Sequence, residues 1–512
     1  MHHSDSATVT TVDTLAKLLD VCGELRASEQ VDERAVTGCS FDSRVVSAGD
    51  VFFCKGAAFK PAFLSMALDA GAVAFVCEES LVESLEPLAK EGGAAMLVVD
   101  SVRTAMALLP PEVYDRPDHD VKIVGITGTK GKTTAAFMLQ SIIKAAGESC
   151  GMIGSVSTDD GIECYESTNT TPEAPEVWRH IANCRTSGRK SMVMEVSSQA
   201  LKYQRVENLP FDVACFLNIG RDHISPIEHP TFEDYFESKL RIFDQAKTAV
   251  VNLGTEEVDR VLEAASTAER LVTVGVEHPE ASLWASDVRM VGFSIEFNLH
   301  GLCADESEAG EKILLGIAGD FNVENALVAI AAAREIGIGI EAIKKGLSKL
   351  RVPGRMEVVE SKDGRVICVV DYAHNQLSFR SLFSSVKRAF PASPVIAVFG
   401  AAGGKAQERR EQLPREAAPY SDLMIFANED PAHEDPMKSV ASLPNMFPTI
   451  RRTRSSSIAK PLCMRRSRRR ARSTSTPMLP PLSCCWQRVT RSSCTWATSS
   501  CPSRATFRWP IA

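Results

Sequence analysis

The 512-residue chain lacks the long apolar stretches of a membrane protein and contains few aromatic residues. No apolar run approaches the ~18–20 residues that a membrane-spanning helix needs, and the first ten residues have no signal-peptide core. Aromatic residues are 6% of the chain, but hydrophobic residues are 44% and charged residues 24%, which excludes a mainly disordered or collagen-like protein. At roughly 100–200 residues per domain, we expect about three domains and no membrane insertion.

The 15 cysteines lack the paired spacing of a metal-binding motif and are scattered singly through most of the chain. In a chain of this size they indicate reduced thiols rather than a disulfide framework, which predicts a cytoplasmic location.

Acidic residues are absent from the last 76 residues. All 65 Asp and Glu lie in residues 1–436, whereas residues 437–512 contain 13 Arg and 2 Lys. The tail therefore carries a charge of +15 in a chain whose net charge is −8. This break predicts that the tail is translated out of frame, from a point between Met437 and Ser457.

Codon degeneracy is consistent with this prediction. A shifted frame reads the third base of each codon with the first two bases of the next. In that frame, the codons for Cys485 to Arg491 must begin with Leu-Ala, and they permit Lys, then Gly, then Asp or His, then Glu. In the same frame, Ser457 to Arg465 permits an ordinary charged helix. The alternatives are a natural, basic, disordered extension and, through Arg465–Arg470, an arm that binds nucleic acid.

Strand and helix patterns alternate from Val121 onward. Apolar strand candidates at 121–126, 192–196, 213–217 and 249–252 are separated by helical stretches, which favours a buried parallel sheet covered by helices. A linker at 114–120 precedes this region and Val352-Pro353-Gly354 follows it. We predict α/β domains at residues 1–115, 120–350 and 352–436, followed by the tail; the third has strand candidates at 366–370, 395–399 and 423–426.

The segment from Gly125 to Thr134 (GITGTKGKTT) has the pattern of a phosphate-binding loop. A strand runs into a glycine-bearing turn and then a helix that begins near Lys132, so backbone N–H groups can cradle a polyphosphate. Lys132 can neutralise phosphate charge and the Thr133 hydroxyl can ligate Mg²⁺. Five residues separate Gly125 from Gly131, one more than in the strict motif. The segment predicts ATP and Mg²⁺ as ligands.

Other residues suit the same chemistry. Glu195, at a strand end, is a hard oxygen ligand for Mg²⁺, although a capping or salt-bridged carboxylate is the alternative. Asn322 and Asn325 share one helical face and can reach one ligand, unless Asn322 caps the helix. Arg355 suits phosphate charge, and Asp371 can accept hydrogen bonds from ribose hydroxyls.

These motifs and their order resemble the Mur ligase family, whose phosphate loop has the form T-G-T-x-G-K-T. Similar segments follow in order: 169–172 (NTTP), 194–198 (MEVSS), 218–223 (NIGRDH), 235–243 (YFESKLRIF), 321–326 (FNVENA), 352–357 (VPGRME) and 371–375 (DYAHN). Near the N-terminus, Asp42-Ser43-Arg44 and Gly49–Phe53 resemble the uridine-binding domain of the branch that adds the third peptide residue to the cell-wall precursor. The resemblance covers about residues 35–436.

The resemblance implies three α/β domains: an N-terminal uridine-nucleotide-binding domain, a central P-loop ATPase-like domain with a parallel sheet, and an incomplete Rossmann-like C-terminal domain. It implies a monomer that binds UDP-N-acetylmuramoyl-L-alanyl-D-glutamate and a free diamino acid, and no nucleic acid. The γ-carboxylate of D-glutamate takes the γ-phosphate of ATP, and the amine of the diamino acid then displaces phosphate from the acyl phosphate.

The resemblance also implies site residues. The catalytic residues are Lys132, Glu195, His223 and Lys239. The ATP-binding residues are Gly128, Thr129, Lys130, Gly131, Lys132, Thr133, Thr134, Asn322, Asn325, Arg355 and Asp371. The substrate-binding residues are Ser43, Asn169, Thr170, Thr171, Ser197 and Arg205. The Mg²⁺ ligands are Thr133, Glu195, His223 and a carbamylated Lys239. From residue type alone, His223 is equally a core histidine and Lys239 a solvated helix lysine. Gln199 stands where the family usually has His.

The added amino acid is predicted from residues 429–436 (EDPAHEDP). Family members that add meso-diaminopimelate carry D-N-P-R, whose Arg pairs with the distal carboxylate. Ala432 cannot make that contact, and the carboxylates around it suit a distal ammonium. We predict L-lysine, with L-ornithine second, and recognition by Glu429, Asp430, Ala432 and Glu434. The alternative is a solvated acidic turn, with another Arg binding diaminopimelate.

Two other functions remain open from the sequence. Folate polyglutamylation uses a similar phosphate loop, although the Ser43-Arg44 region and the 169–171 loop argue against it. The second alternative is a non-catalytic nucleotide or muropeptide binder. An out-of-frame tail would leave this chain able to bind ATP or the UDP-linked substrate but poorly able to ligate, because a truncated sheet exposes apolar faces and an unpaired edge.

Overall fold

The computed structural model describes residues 9–221, 224–225, 228–301, 310–400, 408–427, 429 and 482–487. The chain divides into two compact units. The first comprises Met1–Asp287, Phe297–Ile313 and Val323–Lys349, and the second comprises Val288–Glu296, Leu314–Asn322 and Leu350–Ala512. Within the described ranges, no helix combines the length and apolar character needed to cross a membrane.

The N-terminal part of the first unit is a five-stranded sheet in the order β1-β5-β4-β3-β2. Its strands are β1 Leu25–Glu29, β2 Gly38–Ser40, β3 Asp50–Phe53, β4 Ala74–Glu78 and β5 Ala95–Val99. Its helices are α1 Val12–Val21, α2 Pro61–Asp69, α3 Val82–Gly92 and α4 Val102–Val113, with 3₁₀ turns at Glu79–Leu81 and Pro117–His119. Strands β2 to β5 are parallel, and β1 runs antiparallel to β5.

Both faces of this sheet are buried because apolar residues occupy consecutive positions of its inner strands. Phe53 and Val76 pack in one apolar cluster with α1 and α4, whereas their neighbours Phe52 and Phe75 pack in another with α2 and α3. Successive strand residues point to opposite faces, so an uninterrupted apolar run fills two cores at once.

The central sheet has eleven strands in the order β16-β15-β14-β13-β12-β11-β6-β10-β7-β8-β9. Its strands are β6 Lys122–Thr127, β7 Gly151–Ile153, β8 Ser157–Asp159, β9 Cys164–Glu166, β10 Ser191–Glu195, β11 Phe211–Phe216, β12 Ala246–Asn252, β13 Arg270–Val276, β14 Leu283–Val291, β15 Ser294–His300 and β16 Glu311–Leu315. Its helices are α5 Lys132–Ala145, α6 Ala174–Thr186, α7 Ser198–Lys202, α8 Phe232–Leu240, α9 Val258–Ala265, α10 Phe321–Glu335 and α11 Ile340–Ser348, with a 3₁₀ turn at Arg241–Gln245.

Strand β6 lies between β10 and β11, parallel to both, and this position sets the location of the site. Its sequence, Lys-Ile-Val-Gly-Ile-Thr, is buried after the first residue, as expected for a strand covered on both faces. The carboxyl ends of these three parallel strands meet at one edge of the sheet, where ligands bind in open α/β sheets. The parallel sheet predicted from the sequence is confirmed.

The third sheet has the order β17-β18-β21-β19-β20. Its strands are β17 Glu357–Glu360, β18 Val366–Asp371, β19 Val395–Phe399, β20 Leu423–Phe426 and β21 Leu482–Gln487, and its helices are α12 Gln376–Ala389 and α13 Arg409–Ala417. The predicted strands at 395–399 and 423–426 are confirmed at both ends.

Strand β21 belongs to the tail, and it lies parallel to β18 on one side and β19 on the other. An out-of-frame tail is expected to leave the third domain without its last strands. For residues 482–487 that expectation is wrong. This segment, LSCCWQ, is free of charged residues and Pro and includes an aromatic residue, a composition compatible with a strand.

Candidate functional site

The phosphate loop connects β6 to α5, and its two glycines have conformations and neighbours that exclude other residues. Gly128 has a φ of +151° and Gly131 a φ of +89°, where side chains are disfavoured. A Cβ on Gly131 would lie 2.2 Å from Asn325 Oδ1, and a Cβ on Gly128 would lie 2.9 Å from Leu217 Cβ. Gly131 is the N-cap of α5, so the helix starts at Lys132 as predicted and directs its first N–H groups into the loop.

Two lysines converge on this loop. Lys132 Nζ donates a hydrogen bond to the Gly128 carbonyl oxygen at 2.8 Å, and Lys239 Nζ donates to the same oxygen at 3.0 Å. Lys239 is 1% exposed, so it is not the solvated helix lysine that residue type alone allows. The Lys239 ammonium also lies 4.7 Å from the centre of the Tyr235 ring, whose hydroxyl is 3.0 Å from the Thr129 hydroxyl. Helix α8 is thereby attached to the phosphate loop.

Glu195 ends strand β10 and is the buried carboxylate of the site, with 1% exposure. Its Oε2 accepts hydrogen bonds from the Thr133 hydroxyl at 2.9 Å and the Ser155 hydroxyl at 3.2 Å, and its Oε1 accepts from the Ser155 amide at 2.8 Å. A Cβ on Gly154 would lie 2.4 Å from Oε1, so the glycine leaves room for the carboxylate. Carboxylate and hydroxyl oxygens are the donors that Mg²⁺ prefers, and this donor set fits the ion.

The 169–172 loop is attached to the end of β10. The Thr171 hydroxyl donates to the Glu195 carbonyl oxygen at 2.9 Å and accepts from the Ser197 amide at 3.0 Å. The Thr170 hydroxyl lies 2.9 Å from the Ser155 hydroxyl, and Arg205 donates to the Thr171 carbonyl at 3.1 Å. The predicted substrate residues of the central part therefore meet beside Glu195, and Asn169 lies exposed next to them.

Asn325 and Asn322 lie at the start of α10, and both are buried. Asn325 packs against the phosphate-loop glycine Gly131. Asn322 follows the first residue of the helix and donates to the Ala318 carbonyl oxygen at 2.6 Å. The alternative that Asn322 is the helix N-cap is wrong, because the helix already begins at Phe321.

Arg355, Tyr372 and Asp371 form a group within the second unit. The Arg355 guanidinium lies 4.6 Å from the centre of the Tyr372 ring, and Asp371 accepts hydrogen bonds from the amides of Met356 at 2.8 Å and Ala373 at 2.7 Å. Burial raises the pKa of Asp371, against the opposing effects of Arg355 and the two amides. Arg355 and Asp371, both predicted from the sequence, therefore lie in one group near the start of the third sheet, within the second unit.

The remaining predicted site residues belong to other parts of the structure or lie outside the described residues. Ser43 follows β2 in the N-terminal sheet, with its hydroxyl 3.9 Å from Met66 Sδ. Glu429 lies beside Gly400. His223, Asp430, Ala432 and Glu434 lie outside the described residues.

Sequence reasoning missed two parts of the site. Ser155, which makes two hydrogen bonds to Glu195, has no motif around it. His229 is fully buried, with Nδ1 2.6 Å from Asp234 and Nε2 2.9 Å from the Ser198 hydroxyl. An imidazole therefore reaches Ser198 from another loop, although Gln199 stands where the family usually has His. No motif of the sequence indicated His229, which lies two residues before Thr231, the N-cap of α8.

The fold and the site together define a nucleotide-binding enzyme of the phosphate-loop class, built on a parallel sheet. The model of the Mur ligase middle domain matches residues 126–333, and that of the Mur ligase glutamate ligase domain matches residues 354–460. The chain belongs to the Mur ligase family.

Relatives of this chain cover most of its length. It is 36% identical over 416 residues to the UDP-N-acetylmuramoyl-L-alanyl-D-glutamate–L-lysine ligase of Enterococcus faecalis, covering 81% of this chain and 80% of the relative. It is 35% identical over 426 residues to the UDP-N-acetylmuramyl-tripeptide synthetase of Latilactobacillus sakei, covering 80% and 81%. A solved structure of a UDP-N-acetylmuramoyl-L-alanyl-D-glutamate–2,6-diaminopimelate ligase has the same fold, with a TM-score of 0.64, 23% identity and 86% coverage of both chains.

Proposed function

We propose that this chain is an ATP-dependent ligase that joins L-lysine to the D-glutamate γ-carboxylate of UDP-N-acetylmuramoyl-L-alanyl-D-glutamate, in the synthesis of peptidoglycan precursors. The names of the two relatives support the substrate. The observation that carries the proposal is the buried Glu195 carboxylate, hydrogen-bonded to Thr133 at the first turn of the phosphate-loop helix.

An unactivated carboxylate is a poor acyl donor, so the reaction begins by making a leaving group. The oxygen of the D-glutamate γ-carboxylate attacks the γ-phosphorus of ATP, the bond to the bridging oxygen breaks, and ADP leaves. The lysine amine then attacks the acyl carbon, loses its proton, and inorganic phosphate leaves. The charge that develops on the phosphoryl oxygens is stabilised by Lys132 and by the amides at the start of α5.

Thr133 and Glu195 would hold Mg²⁺, together with His223 and a carbamylated Lys239, and the ion would supply charge neutralisation of the transferring phosphoryl group. The Glu195 carboxylate is held in place by hydrogen bonds from Ser155 and Thr133 and by the close approach of Gly154. The loop at 169–172, attached to the same strand end, brings the acceptor substrate beside the phosphate.

Lysine is favoured over diaminopimelate because Ala432 provides no cation for a distal carboxylate, whereas Glu429, Asp430 and Glu434 provide charge for a distal ammonium. We place the reaction in the cytoplasm and expect a monomer that binds no nucleic acid. Folate polyglutamylation is the weaker proposal, because Ser43 and the 169–172 loop are accounted for by the nucleotide-linked muramoyl substrate.

The experiment is a phosphate-release assay with ATP, Mg²⁺, the UDP-linked muramoyl dipeptide and one diamino acid at a time. We expect the highest kcat/KM with L-lysine, a lower value with L-ornithine, and little release with meso-diaminopimelate. The variant Lys132→Met should release no phosphate with any of them. Faster turnover with meso-diaminopimelate than with lysine would contradict the assignment, and release that depends on tetrahydrofolate would favour the other activity.

A further inference from the structure

One carboxylate in the first turn of helix α8 binds two side chains that approach it from other segments. Asp234 Oδ2 accepts a hydrogen bond from Lys202 Nζ at 2.7 Å, and the same oxygen lies 2.6 Å from His229 Nδ1. Lys202 is the last residue of the short helix α7, and His229 belongs to the loop before α8. The other ring nitrogen of His229 lies 2.9 Å from the hydroxyl of Ser198, the first residue of α7. These four side chains, the Asp234 network, therefore join both ends of α7 to α8.

The charges of the Asp234 network determine the direction of its hydrogen bonds. Burial lowers the pKa of His229, and Lys202 and Lys239 lower it further against the effect of Asp234, so the imidazole is neutral at pH 7. Burial would raise the pKa of Asp234, but hydrogen bonds from Lys202 and His229 lower it. An ionised carboxylate only accepts, so His229 donates from Nδ1 and accepts the Ser198 hydroxyl at Nε2. One ammonium thus balances one carboxylate.

Helix α7 is attached to the 169–172 loop, whose residues are predicted to bind the acceptor substrate. Ser197 caps α7 by accepting a hydrogen bond from the Ala200 amide at 3.1 Å, and its own amide donates to the Thr171 hydroxyl at 3.0 Å. Arg205, three residues after the helix, donates to the Thr171 carbonyl oxygen at 3.1 Å. A displacement of α7 would therefore displace the loop as well.

Helix α8 is attached to the phosphate loop. Tyr235 is fully buried, and its hydroxyl lies 3.0 Å from the Thr129 hydroxyl. Lys239, one turn further along α8, donates to the Gly128 carbonyl oxygen at 3.0 Å. The imidazole of the Asp234 network packs edge-on against the Tyr235 ring, with ring centres 5.2 Å apart. The Asp234 network therefore connects the helix of the phosphate loop to the helix of the 169–172 loop.

The reaction depends on the separation of these two loops, because the acceptor carboxylate must meet the γ-phosphorus of ATP. A displacement of about 1 Å between reacting groups can lower the rate by about a hundredfold. Glu195 also links the loops, since it accepts from Thr133 and from Ser155, whose hydroxyl lies 2.9 Å from that of Thr170. The oxygens of Glu195 are, however, the predicted ligands of Mg²⁺. The Asp234 network lies outside the predicted ligand-binding residues, so it can keep the loops in place while ligands bind and leave.

We propose that Asp234 and His229 are positioning residues, which hold the phosphate loop and the 169–172 loop in one arrangement, so that a ligand at either loop favours binding at the other. A bound ligand restrains its own loop, and the Asp234 network carries that restraint to the other loop. The second ligand then loses less conformational entropy when it binds. The inference rests on the proposed function, because it takes the UDP-linked muramoyl dipeptide as the ligand of the 169–172 loop.

The test measures the coupling between two ligands by isothermal titration calorimetry of the full chain. ADP with Mg²⁺ is titrated in the absence and in the presence of saturating UDP-linked muramoyl dipeptide, and the dipeptide is titrated with and without ADP. ADP lacks the phosphoryl group that reacts with the acceptor carboxylate, so there is no turnover and the coupling is transmitted by the protein. Both orders must give the same factor, and we expect about fivefold tighter binding or more in the wild type.

Two variants interrupt the Asp234 network to different extents. Asp234→Asn removes the charge that holds Lys202 and His229, and should reduce the coupling to less than about twofold, while each ligand alone binds within about twofold of its wild-type affinity. Ser198→Ala removes one hydroxyl and introduces a residue that favours helix, so it should fold. Its coupling should be intermediate, because the contact between Lys202 and Asp234 remains.

Asp212→Asn is the matched control. Asp212 also accepts hydrogen bonds from one lysine and one further N–H group, namely Lys247 Nζ and the Ile123 amide, both at 2.8 Å. It lies at the amino end of β11, whereas the site lies at the carboxyl ends of the strands. Asp212→Asn should lose stability in urea unfolding and keep the wild-type coupling.

Three results would overturn the inference alone: no coupling in the wild type, wild-type coupling in either Asp234→Asn or Ser198→Ala, or equal loss of coupling in Asp212→Asn. A network that only stabilises the fold would give the second result, with lower unfolding free energy in both aspartate variants. If the wild-type chain binds ADP but not the UDP-linked muramoyl dipeptide, the proposed function fails, and the inference fails with it.

Discussion

Gly131 and Gly147 stand at opposite ends of helix α5 and offer a matched pair of substitutions. Gly131 has a φ of +89° and Gly147 a φ of +87°, so alanine meets the same backbone strain at both positions. They differ in their surroundings. A Cβ on Gly131 would lie 2.2 Å from Asn325 Oδ1 and 3.0 Å from its Cγ, whereas a Cβ on Gly147 has no atom within 4 Å.

The magnitudes follow from these contacts. An L-residue in the left-handed region costs about 1–2 kcal/mol, which applies to Gly131→Ala and Gly147→Ala alike. Gly131→Ala must also displace the Asn325 amide, which is 4% exposed, and separating a buried amide from its partners costs about 1–3 kcal/mol more. We therefore expect Gly131→Ala to lose about 2–5 kcal/mol of unfolding free energy and Gly147→Ala about 1–2 kcal/mol.

The assay pairs urea unfolding with calorimetric titration of ADP. Gly147→Ala should bind ADP as the wild type does, whereas Gly131→Ala should bind it about tenfold more weakly, because both the loop and Asn325 shift. If the two variants lose equal stability and both keep full ADP affinity, the close approach of Asn325 to the loop has no role in nucleotide binding, and the reasoning is refuted.

Three further predictions concern a buried acid, a buried imidazole and the tail. Burial alone would raise the pKa of Asp160, but hydrogen bonds, the strongest from His180, lower it to about 2. A carboxylate whose pKa is lower in the folded than in the unfolded state stabilises the fold at pH values above its unfolded pKa. Asp160→Asn should therefore cost about 2 kcal/mol of unfolding free energy near pH 7. The difference from the wild type should vanish as the pH falls from about 4 to about 2, which urea unfolding at a series of pH values would detect. His229→Ala leaves the Ser198 hydroxyl and a carboxylate without their partner and should cost about 1–3 kcal/mol in urea unfolding, with His229→Asn recovering part because its amide replaces Nδ1; equal losses in the two variants would argue against the hydrogen-bond network. Finally, resequencing should reveal a frame change between residues 437 and 457, and the chain with the alternative frame should ligate faster than the 512-residue chain in the phosphate-release assay; equal ligation would contradict the functional half of this prediction.

Much of the phosphate loop was predictable because its chemistry is local. The strand, the glycines and the helix that begins at Lys132 are consecutive in sequence, and glycine requirements of this kind depend on backbone conformation. Strands such as Val395–Phe399 are short apolar runs with clear boundaries, and these too were predicted at both ends. The prediction that Glu195 belongs to the site came from its place at a strand end, and the Thr133 hydroxyl does donate a hydrogen bond to it.

The remaining contacts depend on which strands become neighbours, and nothing in a single sequence specifies that. Ser155 reaches Glu195 only because β7 pairs with β10, and His229 reaches Ser198 from a loop about 30 residues away. Glu173 forms ion pairs with Lys55, 118 positions earlier in the chain, and with Arg103, 70 positions earlier, so these contacts appear only after folding.

The strand in the tail was not predicted from the sequence for a different reason. Its pairing between β18 and β19 needs only a short apolar segment, and in the alternative frame Cys485 to Gln487 also begins with Leu-Ala. The charge imbalance of the tail and the strand character of residues 482–487 are therefore compatible, and the prediction of a frame change stands independently of this strand.

The most direct test of the central claim is a competition reaction analysed by mass spectrometry. The chain, in its 512-residue form and with the alternative frame, is supplied with ATP, Mg²⁺, the UDP-linked muramoyl dipeptide and equal concentrations of L-lysine, L-ornithine and meso-diaminopimelate. We predict that the UDP-linked tripeptide containing lysine is the main product, formed together with ADP and phosphate. A product containing mainly diaminopimelate, or no tripeptide from either form of the chain, would contradict the account.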